Sequence, residues 1–313
     1  MQEVIYGCMG LGGSWSDEPH GADHVEQAAA AVQAALDAGI TLFDHADIYR
    51  SGKSEAVFGE VLAGRPGLRE RIRLQTKCGI RLNERGLQTH YDLSRDAILE
   101  RVDGSLKRLR TDYVDILLLH RPDPLADPAE VASAVGHLLA EGKIRQVGVS
   151  NMSAAQIEVL QDRLETPVVA NQLEMSLLKR SWLESQVLVN HQEHLDYSFP
   201  HGTLEYCTRN NITLQAYGSL AKGVYTGAEQ ENPSSAEAAT AELVTELAGE
   251  YGTSGQSVLL GWLMKHPAGI APVIGTVNPG RIRACADAAR VARQLTRTDW
   301  YKLWISARGS NIP

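Results

Sequence analysis

The chain has 313 residues, of which 43% are hydrophobic and 22% charged, close to the averages of folded globular proteins. This length suits one α/β barrel, a fold of typically about 250 residues, and it is enough to bury a full core. The formal net charge is −8 and the Lys and Arg residues form no dense cluster, which argues against a nucleic-acid partner.

Cysteine usage and hydropathy restrict the protein class further. Four cysteines are scattered along the chain, with no C-x-x-C pair and no closely spaced histidine partners. This pattern argues against a disulfide framework and against a metal site. The N-terminus carries no secretory signal pattern, and no apolar run approaches the roughly 20 residues of a membrane span. We therefore expect a cytoplasmic protein with no membrane association.

The N-terminal segment predicts a strand at residues 4–9, followed by a glycine-rich loop from Gly10 to Trp15. This loop is not a Rossmann fingerprint, because Trp15 stands where the third glycine must let a helix and a strand touch. We expect the glycines instead to let the loop pass close to a ligand.

Helices and strands alternate from residue 23 onward. The first repeat is an alanine-rich helix that Gly39 ends, followed by a strand at residues 40–44. Further helices are predicted at residues 54–62, 94–109, 128–141, 153–163 and 202–210, and further strands at 72–77, 114–120, 144–150, 168–173 and 213–217. The strands are apolar without clean alternation, as expected for strands covered on both faces.

Two long irregular stretches, residues 174–201 and 218–235, interrupt this alternation. Helices at 236–251 and 257–265, a strand at 270–274 and a helix at 279–293 complete the chain. These strands and the one at residues 4–9 make eight, and no Pro-, Gly- or Ser-rich linker divides the chain. We therefore predict a single domain over residues 1–313, a (β/α)8 TIM barrel of the α/β class with extra helices and long loops at its C-terminal face.

Four polar side chains lie at or just after predicted strand ends. Asp44 ends the second strand and Tyr49 follows after a turn, while Lys77 and His120 end the next two strands. In a parallel barrel these ends meet at one rim, where catalytic residues lie. A buried lysine beside a tyrosine predicts a lowered tyrosine pKa, and Asp44 can hold the lysine while His120 orients a substrate oxygen. The group suits proton delivery to an oxygen whose carbon is being reduced.

These motifs resemble the aldo/keto reductase family. The likeness rests on D-H-A-D-I-Y at residues 44–49 followed by S-E at 54–55, on Lys77, on L-L-L-H-R-P at 117–122, on G-V-S-N at 148–151, on N-Q at 171–172 and on I-G-T at 274–276. It extends in order from Gly7 to Arg290. The resemblance implies a barrel that binds NADP(H) and reduces an aldehyde or ketone to the alcohol by hydride transfer, with Tyr49 as the general acid.

The resemblance also implies contacts to the nicotinamide, the pyrophosphate and the adenosine phosphate of the cofactor. The implied contacts to the nicotinamide are Ser150, Asn151, Gln172 and Tyr217. Those to the pyrophosphate are Gly218, Ser219, Leu220 and Lys222. Those to the adenosine phosphate are Gly275, Thr276 and Arg281. The family often has a lysine where Gly275 stands, and acidic and amide residues where Ala284 and Cys285 stand. NADPH is the expected cofactor because Thr276 and Arg281 are kept, and use of NADH stays open.

The expected partner is a small-molecule carbonyl substrate, with Trp15, His45 and Met175 as its contacts. Arg50 follows Tyr49 where many family members carry glycine, and it is either a cation near the pocket mouth or a solvated arginine. Potassium-channel β-subunits resemble this family in the barrel and in the catalytic tetrad, which here is Asp44, Tyr49, Lys77 and His120. The alternative function is therefore a regulatory subunit that senses bound NADP(H) without turning over a substrate. We expect a monomer or a small homo-oligomer.

Overall fold

A computed structural model describes residues 3–16, 18–84 and 86–313. The strands in these ranges are β1 (Ile5–Gly7), β2 (Leu42–Asp44), β3 (Arg73–Cys78), β4 (Ile80–Glu84), β5 (Leu87–Tyr91), β6 (Val114–Leu119), β7 (Ile144–Ser150), β8 (Val168–Glu174), β9 (Thr213–Tyr217) and β10 (Ala271–Ile274). Eight of them form a closed parallel barrel in the order β1-β10-β9-β8-β7-β6-β3-β2, and β4 pairs with β5 as an antiparallel hairpin. The predicted eight-stranded α/β barrel is confirmed.

The α-helices alternate with the barrel strands. They are α1 (Ala22–Asp37), α2 (Lys53–Ala63), α3 (Arg95–Leu109), α4 (Pro128–Ala140), α5 (Ala154–Gln161), α6 (Ser181–Val187), α7 (Thr203–Arg209), α8 (Ser235–Glu250), α9 (Gly255–Met264), α10 (Pro279–Arg283), α11 (Ala288–Gln294) and α12 (Arg297–Arg308). Short 3-10 helices occur at Cys8–Gly10, Arg69–Arg71, Gln192–Asp196 and Ala221–Gly223. In the described ranges, none of the helices has the length and apolar character needed to cross a bilayer.

Local sequence explains where several helices begin and end. Asp127 caps α4 by accepting a hydrogen bond from the Ala129 amide at 2.8 Å. Ser153 and Gln156 form a capping box at the start of α5. After α1, Gly39 adopts a left-handed φ of 75°, as expected for a glycine that ends a helix.

Residue contacts group the chain into two compact units. The N-terminal unit contains Ile5–Gln172 and Gly275–Pro279, and the C-terminal unit consists chiefly of Leu173–Ile274 and Gly280–Pro313. The single domain over residues 1–313 stays a prediction.

The N-terminal unit is organised by parallel strand pairing. Gly7 of β1 pairs with Asp44 of β2, which pairs in turn with Gln75 of β3. Lys77 of β3 pairs with Leu118 of β6. The strand interiors are almost entirely buried, so the polar residues on them need hydrogen-bond partners within the protein.

The C-terminal unit has an aromatic core built around tryptophans. The rings of Trp262 and Trp300 are stacked with centroids 5.2 Å apart, and each indole N–H donates to the main-chain oxygen of the other residue at 3.0 Å. The indole of Trp304 donates to the buried Glu184 carboxylate at 2.9 Å, and Arg308 forms an ion pair with the same carboxylate at 3.2 Å. This ion pair joins α6 to α12.

Several elements differ from the sequence prediction. The β4–β5 hairpin and α12 were not predicted, and the supposedly irregular stretch 174–201 contains α6. The predicted helix 279–293 is wrong as one element, because it consists of α10 and α11 with a break between them. At the break, the main-chain oxygen of Ala284 accepts hydrogen bonds from Ser254 and Ser257 instead of from a continuing helix.

Candidate active site

The four side chains predicted to form the active site all lie in the N-terminal unit. Asp44 is the last residue of β2, Lys77 is next to last in β3, and His120 directly follows β6. Tyr49 lies in the turn between β2 and α2. Pairing of β2 with β3 and of β3 with β6 places these strand ends side by side. The structure therefore brings the four residues together.

Lys77 is the centre of the group. Its ammonium nitrogen contacts Asp44 Oδ1 at 2.8 Å, Asp44 Oδ2 at 2.7 Å, the main-chain oxygen of His45 at 2.9 Å and the Tyr49 hydroxyl at 3.1 Å. The side chain of Lys77 is 0% exposed, and that of Asp44 is 2% exposed. Gln75 donates a further hydrogen bond to Asp44 Oδ1 at 2.5 Å. Both charges are thus buried as a hydrogen-bonded pair.

The charge state of Lys77 follows from its surroundings. Burial by itself lowers the pKa of the ammonium, but the Asp44 carboxylate and the Tyr49 hydroxyl act against burial and the pKa is raised overall. Lys77 is therefore charged at neutral pH and holds the Tyr49 oxygen by a charge-assisted hydrogen bond.

The pKa of Tyr49 differs from the sequence prediction. Burial raises it above the ordinary value of 10.0, and this effect is larger than the lowering by Lys77, which Asp44 partly cancels. The predicted lowered pKa of Tyr49 is therefore wrong, because burial of the hydroxyl outweighs the effect of the Lys77 charge. Tyr49 is a neutral phenol at neutral pH, the form that an acid needs in order to deliver a proton.

His120 lies against Tyr49, with ring centroids 6.1 Å apart and planes at 81°. Burial, followed by the positive charges of Lys77 and Arg121, lowers the pKa of the imidazole to about 2. The ring is therefore neutral at physiological pH. The neutral ring can donate a hydrogen bond from its N–H to a substrate oxygen, but it carries no imidazolium proton to transfer.

The first turn of α2 is fixed behind the tetrad. Ser54 donates to the main-chain oxygen of Cys8 at 2.7 Å. Glu55, whose side chain is fully buried, accepts from the Thr76 hydroxyl at 2.6 Å and from Arg108 at 2.8 Å. These contacts tie α2 to the loop after β1, to β3 and to α3, which fixes the α2 end of the turn that carries Tyr49.

Asp47 was not singled out from the sequence, although it lies between Asp44 and Tyr49 in the motif. It is 3% exposed, and among the described residues neither carboxylate oxygen has a hydrogen-bond partner. Burial, reinforced by Glu55, raises its pKa to about 7, although Arg101 acts in the opposite direction. The only sequence signal was its place in the motif.

The three residues expected at the nicotinamide carboxamide are adjacent in the N-terminal unit. Ser150 of β7 pairs with Gln172 of β8, and the Ser150 hydroxyl donates to the Gln172 main-chain oxygen at 2.9 Å. Asn151 donates from its side chain to the Ser150 hydroxyl at 2.7 Å, and its φ of 58° is left-handed. The cluster contains amide and hydroxyl groups of the kind that bind a carboxamide, so it fits the expected cofactor.

The segment after β10 approaches the loop after β1. The Tyr6 hydroxyl donates to the Thr276 main-chain oxygen at 3.1 Å. A Cβ atom on Gly10 would lie 2.9 Å from the Val277 side chain and 3.6 Å from the Gly275 oxygen. Glycine at position 10 therefore permits this close approach of the two segments, and the expected approach of the loop to a ligand stays a prediction.

The remaining predicted cofactor contacts belong chiefly to the C-terminal unit and are Tyr217, Gly218, Ser219, Leu220, Lys222 and Arg281. The Ser219 hydroxyl is buried and donates to the Val273 main-chain oxygen at 2.8 Å, and the expected contact of Ser219 with the pyrophosphate stays a prediction. Lys222 is exposed and has a left-handed φ of 55°, while Arg281 is exposed on α10. These two cations remain predicted phosphate ligands.

The three predicted substrate contacts have different surroundings. Trp15 is 46% exposed and is covered on one side by Arg50, whose guanidinium carbon lies 5.3 Å from the ring centroid. His45 and Met175 are 0% exposed, which does not fit the expected substrate contacts. The His45 ring packs edge-on against Phe58 at 4.6 Å, because it points to the opposite side of the chain from Asp44.

The histidines of the 174–201 segment lie in the C-terminal unit. His194 and His201 have stacked rings, with their Nε2 atoms 2.8 Å apart. Within residues 3–16, 18–84 and 86–313, no group of three or more His, Cys, Asp or Glu side chains is arranged to hold a metal ion.

A parallel barrel with a tyrosine held by a buried Lys–Asp pair is the arrangement that the sequence predicted for a carbonyl-reducing enzyme. The sequence profile described as Aldo/keto reductase family matches residues 3–304. The chain belongs to this family and is an oxidoreductase.

Similar proteins carry names of the same class. One is the 6-dehydroglucose reductase of Agrobacterium fabrum, 35% identical over 321 residues that cover 100% of this chain and 96% of the relative. Another is the uncharacterized oxidoreductase YcsN of Bacillus subtilis, 40% identical over 288 residues that cover 90% of this chain and 88% of the relative. The solved aldo/keto reductase from Klebsiella pneumoniae, in complex with NADP and acetate, superposes with a TM-score of 0.69 at 24% identity, covering 96% of this chain and 89% of that chain.

Proposed function

We propose that this protein is an NADPH-dependent reductase that converts an aldehyde or ketone to the alcohol, with Tyr49 as the general acid. The observation that carries the proposal is the contact of 3.1 Å between the Lys77 ammonium and the Tyr49 hydroxyl. When bound, the nicotinamide cofactor supplies the hydride.

Tyr49 donates its phenolic proton to the carbonyl oxygen as negative charge develops there. Lys77 stabilises the phenolate that remains, and Asp44 keeps Lys77 in place through both carboxylate oxygens. His120, neutral at the working pH, hydrogen-bonds the same substrate oxygen and orients it toward Tyr49. Each role uses a group whose protonation state suits it at neutral pH.

Ser150, Asn151 and Gln172 are the proposed ligands of the nicotinamide carboxamide. Tyr217 is the proposed stacking partner of the ring, and Thr276 and Arg281 are proposed to hold the 2′-phosphate of NADPH, for which a planar guanidinium is well suited. Gly275 supplies no charge to this phosphate. Because this charge is missing, NADH is a second cofactor to test. Comparing the kcat/KM values for NADPH and NADH tests it.

The relatives named 6-dehydroglucose reductase suggest an oxidised sugar as one substrate to test. Oxidation of NADPH should be followed with 6-dehydroglucose, simple aldehydes and simple ketones. We further propose that the protein is cytoplasmic and is a monomer or small homo-oligomer. A measurement of its size in solution checks the second point and separates it from a fourfold channel-type subunit.

The decisive variant is Tyr49→Phe, which removes the acid and keeps the ring. It should lower kcat/KM by about 100-fold or more while NADPH still quenches the tryptophan fluorescence. Tyr113→Phe is the matched control, because Tyr113 lies before the start of β6, at the end of the strand opposite His120, and should keep wild-type activity. Near-normal turnover in Tyr49→Phe would refute the mechanism, and NADPH binding without turnover of any carbonyl compound would favour the regulatory alternative.

A further inference from the structure

Arg50 immediately follows the proposed acid and has an unusual backbone. Its φ is 52°, and Ser51 and Gly52 continue in the left-handed region with φ of 57° and 85°. Glycine adopts such values without strain, whereas a residue with a Cβ atom does so at a conformational cost. The arginine at this position therefore stands where glycine would be better accommodated, and strain of this kind often accompanies a functional side chain.

The Arg50 side chain is held in place by the loop after β1. Its Nε atom donates to the Met9 main-chain oxygen at 3.0 Å, and its guanidinium carbon lies 5.3 Å from the Trp15 ring centroid. Met9 lies two residues beyond Gly7, the β1 partner of Asp44. The guanidinium is thus fixed at the same end of the barrel strands as the tetrad, and it does not extend freely into solvent.

The positive charge of Arg50 is not neutralised by any described residue. Lys77, the other cation next to Tyr49, is paired with both oxygens of Asp44. By contrast, within residues 3–16, 18–84 and 86–313 Arg50 forms no ion pair, and its two terminal nitrogens donate no hydrogen bond. The terminal nitrogens of a guanidinium match the two oxygens of a carboxylate or the oxygens of a phosphate.

We propose that Arg50 binds an anionic group, a carboxylate or phosphate, at the end of the substrate distant from its carbonyl. Trp15 supplies a flat apolar wall beside this group and holds the guanidinium by a cation–π contact. The preferred substrates are therefore aldehydes or ketones that carry a negative charge. This inference rests on the proposed reductase function and adds a substrate class to it.

Matched substrates test the inference. With saturating NADPH, kcat/KM should be measured for 4-oxobutanoate against butanal and for glyceraldehyde 3-phosphate against glyceraldehyde. The wild-type protein should favour the charged member of at least one pair, and the pair with the larger preference identifies carboxylate or phosphate as the group. Raising the ionic strength should raise the KM of the charged substrate, because salt screens the attraction.

Variants assign the preference to Arg50. Arg50→Gln should lower the ratio of charged to neutral kcat/KM by about tenfold or more, since a hydrogen bond to a charged group is lost. Arg50→Gly should lower the ratio to the same extent, yet its urea unfolding midpoint should not fall, because glycine relieves the strained φ. Loss of stability in Arg50→Gly together with an unchanged ratio would show that the side chain is only structural.

Two further arginines serve as controls. Arg71→Gln makes the same chemical change before the start of β3, at the end opposite Lys77, and should leave the ratio unchanged. Arg121 directly follows His120, so a ratio that falls in Arg121→Gln but not in Arg50→Gln overturns the assignment. The inference alone fails if the wild type reduces the neutral member of each pair as well as the charged member. The proposed function fails as well if no carbonyl compound is reduced.

Discussion

The Oδ2 atom of Asp47 lies 3.8 Å from the Nε atom of Arg101, and neither atom has a hydrogen-bond partner among the described residues. The separation is too long for a hydrogen bond, so Arg101 compensates the buried carboxylate only in part. Burial therefore raises the pKa of Asp47 to about 7 despite Arg101, and a proton on this side chain favours the folded protein.

Asp47 should make stability fall as pH rises. Between its ordinary pKa of 3.8 and its folded pKa of about 7, the folded state holds a proton that the unfolded state has lost. Stability then declines by up to about 1.4 kcal/mol per pH unit across this window and changes no further above it. Urea unfolding at pH 5 and pH 8 gives the free energy of unfolding of Asp47→Asn relative to that of the wild type. This difference should favour the variant by about 1–3 kcal/mol more at pH 8 than at pH 5. Asp112→Asn, at an exposed site, should show no such difference.

The buried Lys77–Asp44 pair should behave as a unit. Lys77→Met leaves a carboxylate without its cation, and Asp44→Leu leaves a buried ammonium, so each change should cost about 3–5 kcal/mol. The double variant should cost less than the sum, because it leaves neither charge behind. Urea unfolding of the four proteins measures the coupling, and additive costs would show that the two side chains act independently.

The pH dependence of turnover should lack a histidine limb. With a pKa of about 2, His120 stays neutral through the physiological range, and the raised pKa of Tyr49 keeps the phenol protonated. Carbonyl reduction should therefore change little between about pH 5 and 8, while alcohol oxidation, which needs the phenolate, should accelerate as pH rises. Profiles of kcat/KM in both directions check this, and an inflection near the ordinary histidine pKa in reduction would contradict it.

Two helix glycines should respond oppositely to alanine. A Cβ atom on Gly59 of α2 would meet the Arg108 main-chain oxygen at 2.1 Å, so Gly59→Ala must force α2 and α3 apart and should cost about 1–3 kcal/mol or more. Gly136 of α4 has nothing within 4 Å of the same position, so Gly136→Ala should stabilise by about 0.5–1 kcal/mol. Thermal unfolding of the two variants measures both effects, and equal shifts would contradict the expected contact.

Apolar runs bounded by turn residues made much of the barrel predictable. Strands β7 and β9 have the predicted bounds, since each is a short run with strong β propensity that follows a helix. The β4–β5 hairpin was not predicted because β5 is mostly polar and exposed and β4 is short and only partly buried. Helix α12 had a usable sequence signal, which is the N-cap residue Thr296. In the structure its hydroxyl accepts a hydrogen bond from the Asp299 amide.

The site was predictable in its residues but not in its electrostatics. Strand-end positions were sufficient to group Asp44, Lys77 and His120. The direction of the Tyr49 pKa shift depends on how completely the hydroxyl is removed from water and on how far Asp44 cancels the lysine charge. Burial and distance, which set both quantities, come from tertiary packing and have no local sequence pattern.

The left-handed turn at Arg50 also has an evolutionary consequence. Arginine and glycine codons can differ by a single nucleotide, and glycine is the residue that this φ favours. Drift alone should therefore replace Arg50 readily and at no cost in folding. Family members that handle uncharged carbonyl compounds are expected to carry glycine here, and those that retain arginine are expected to share the preference for negatively charged ones.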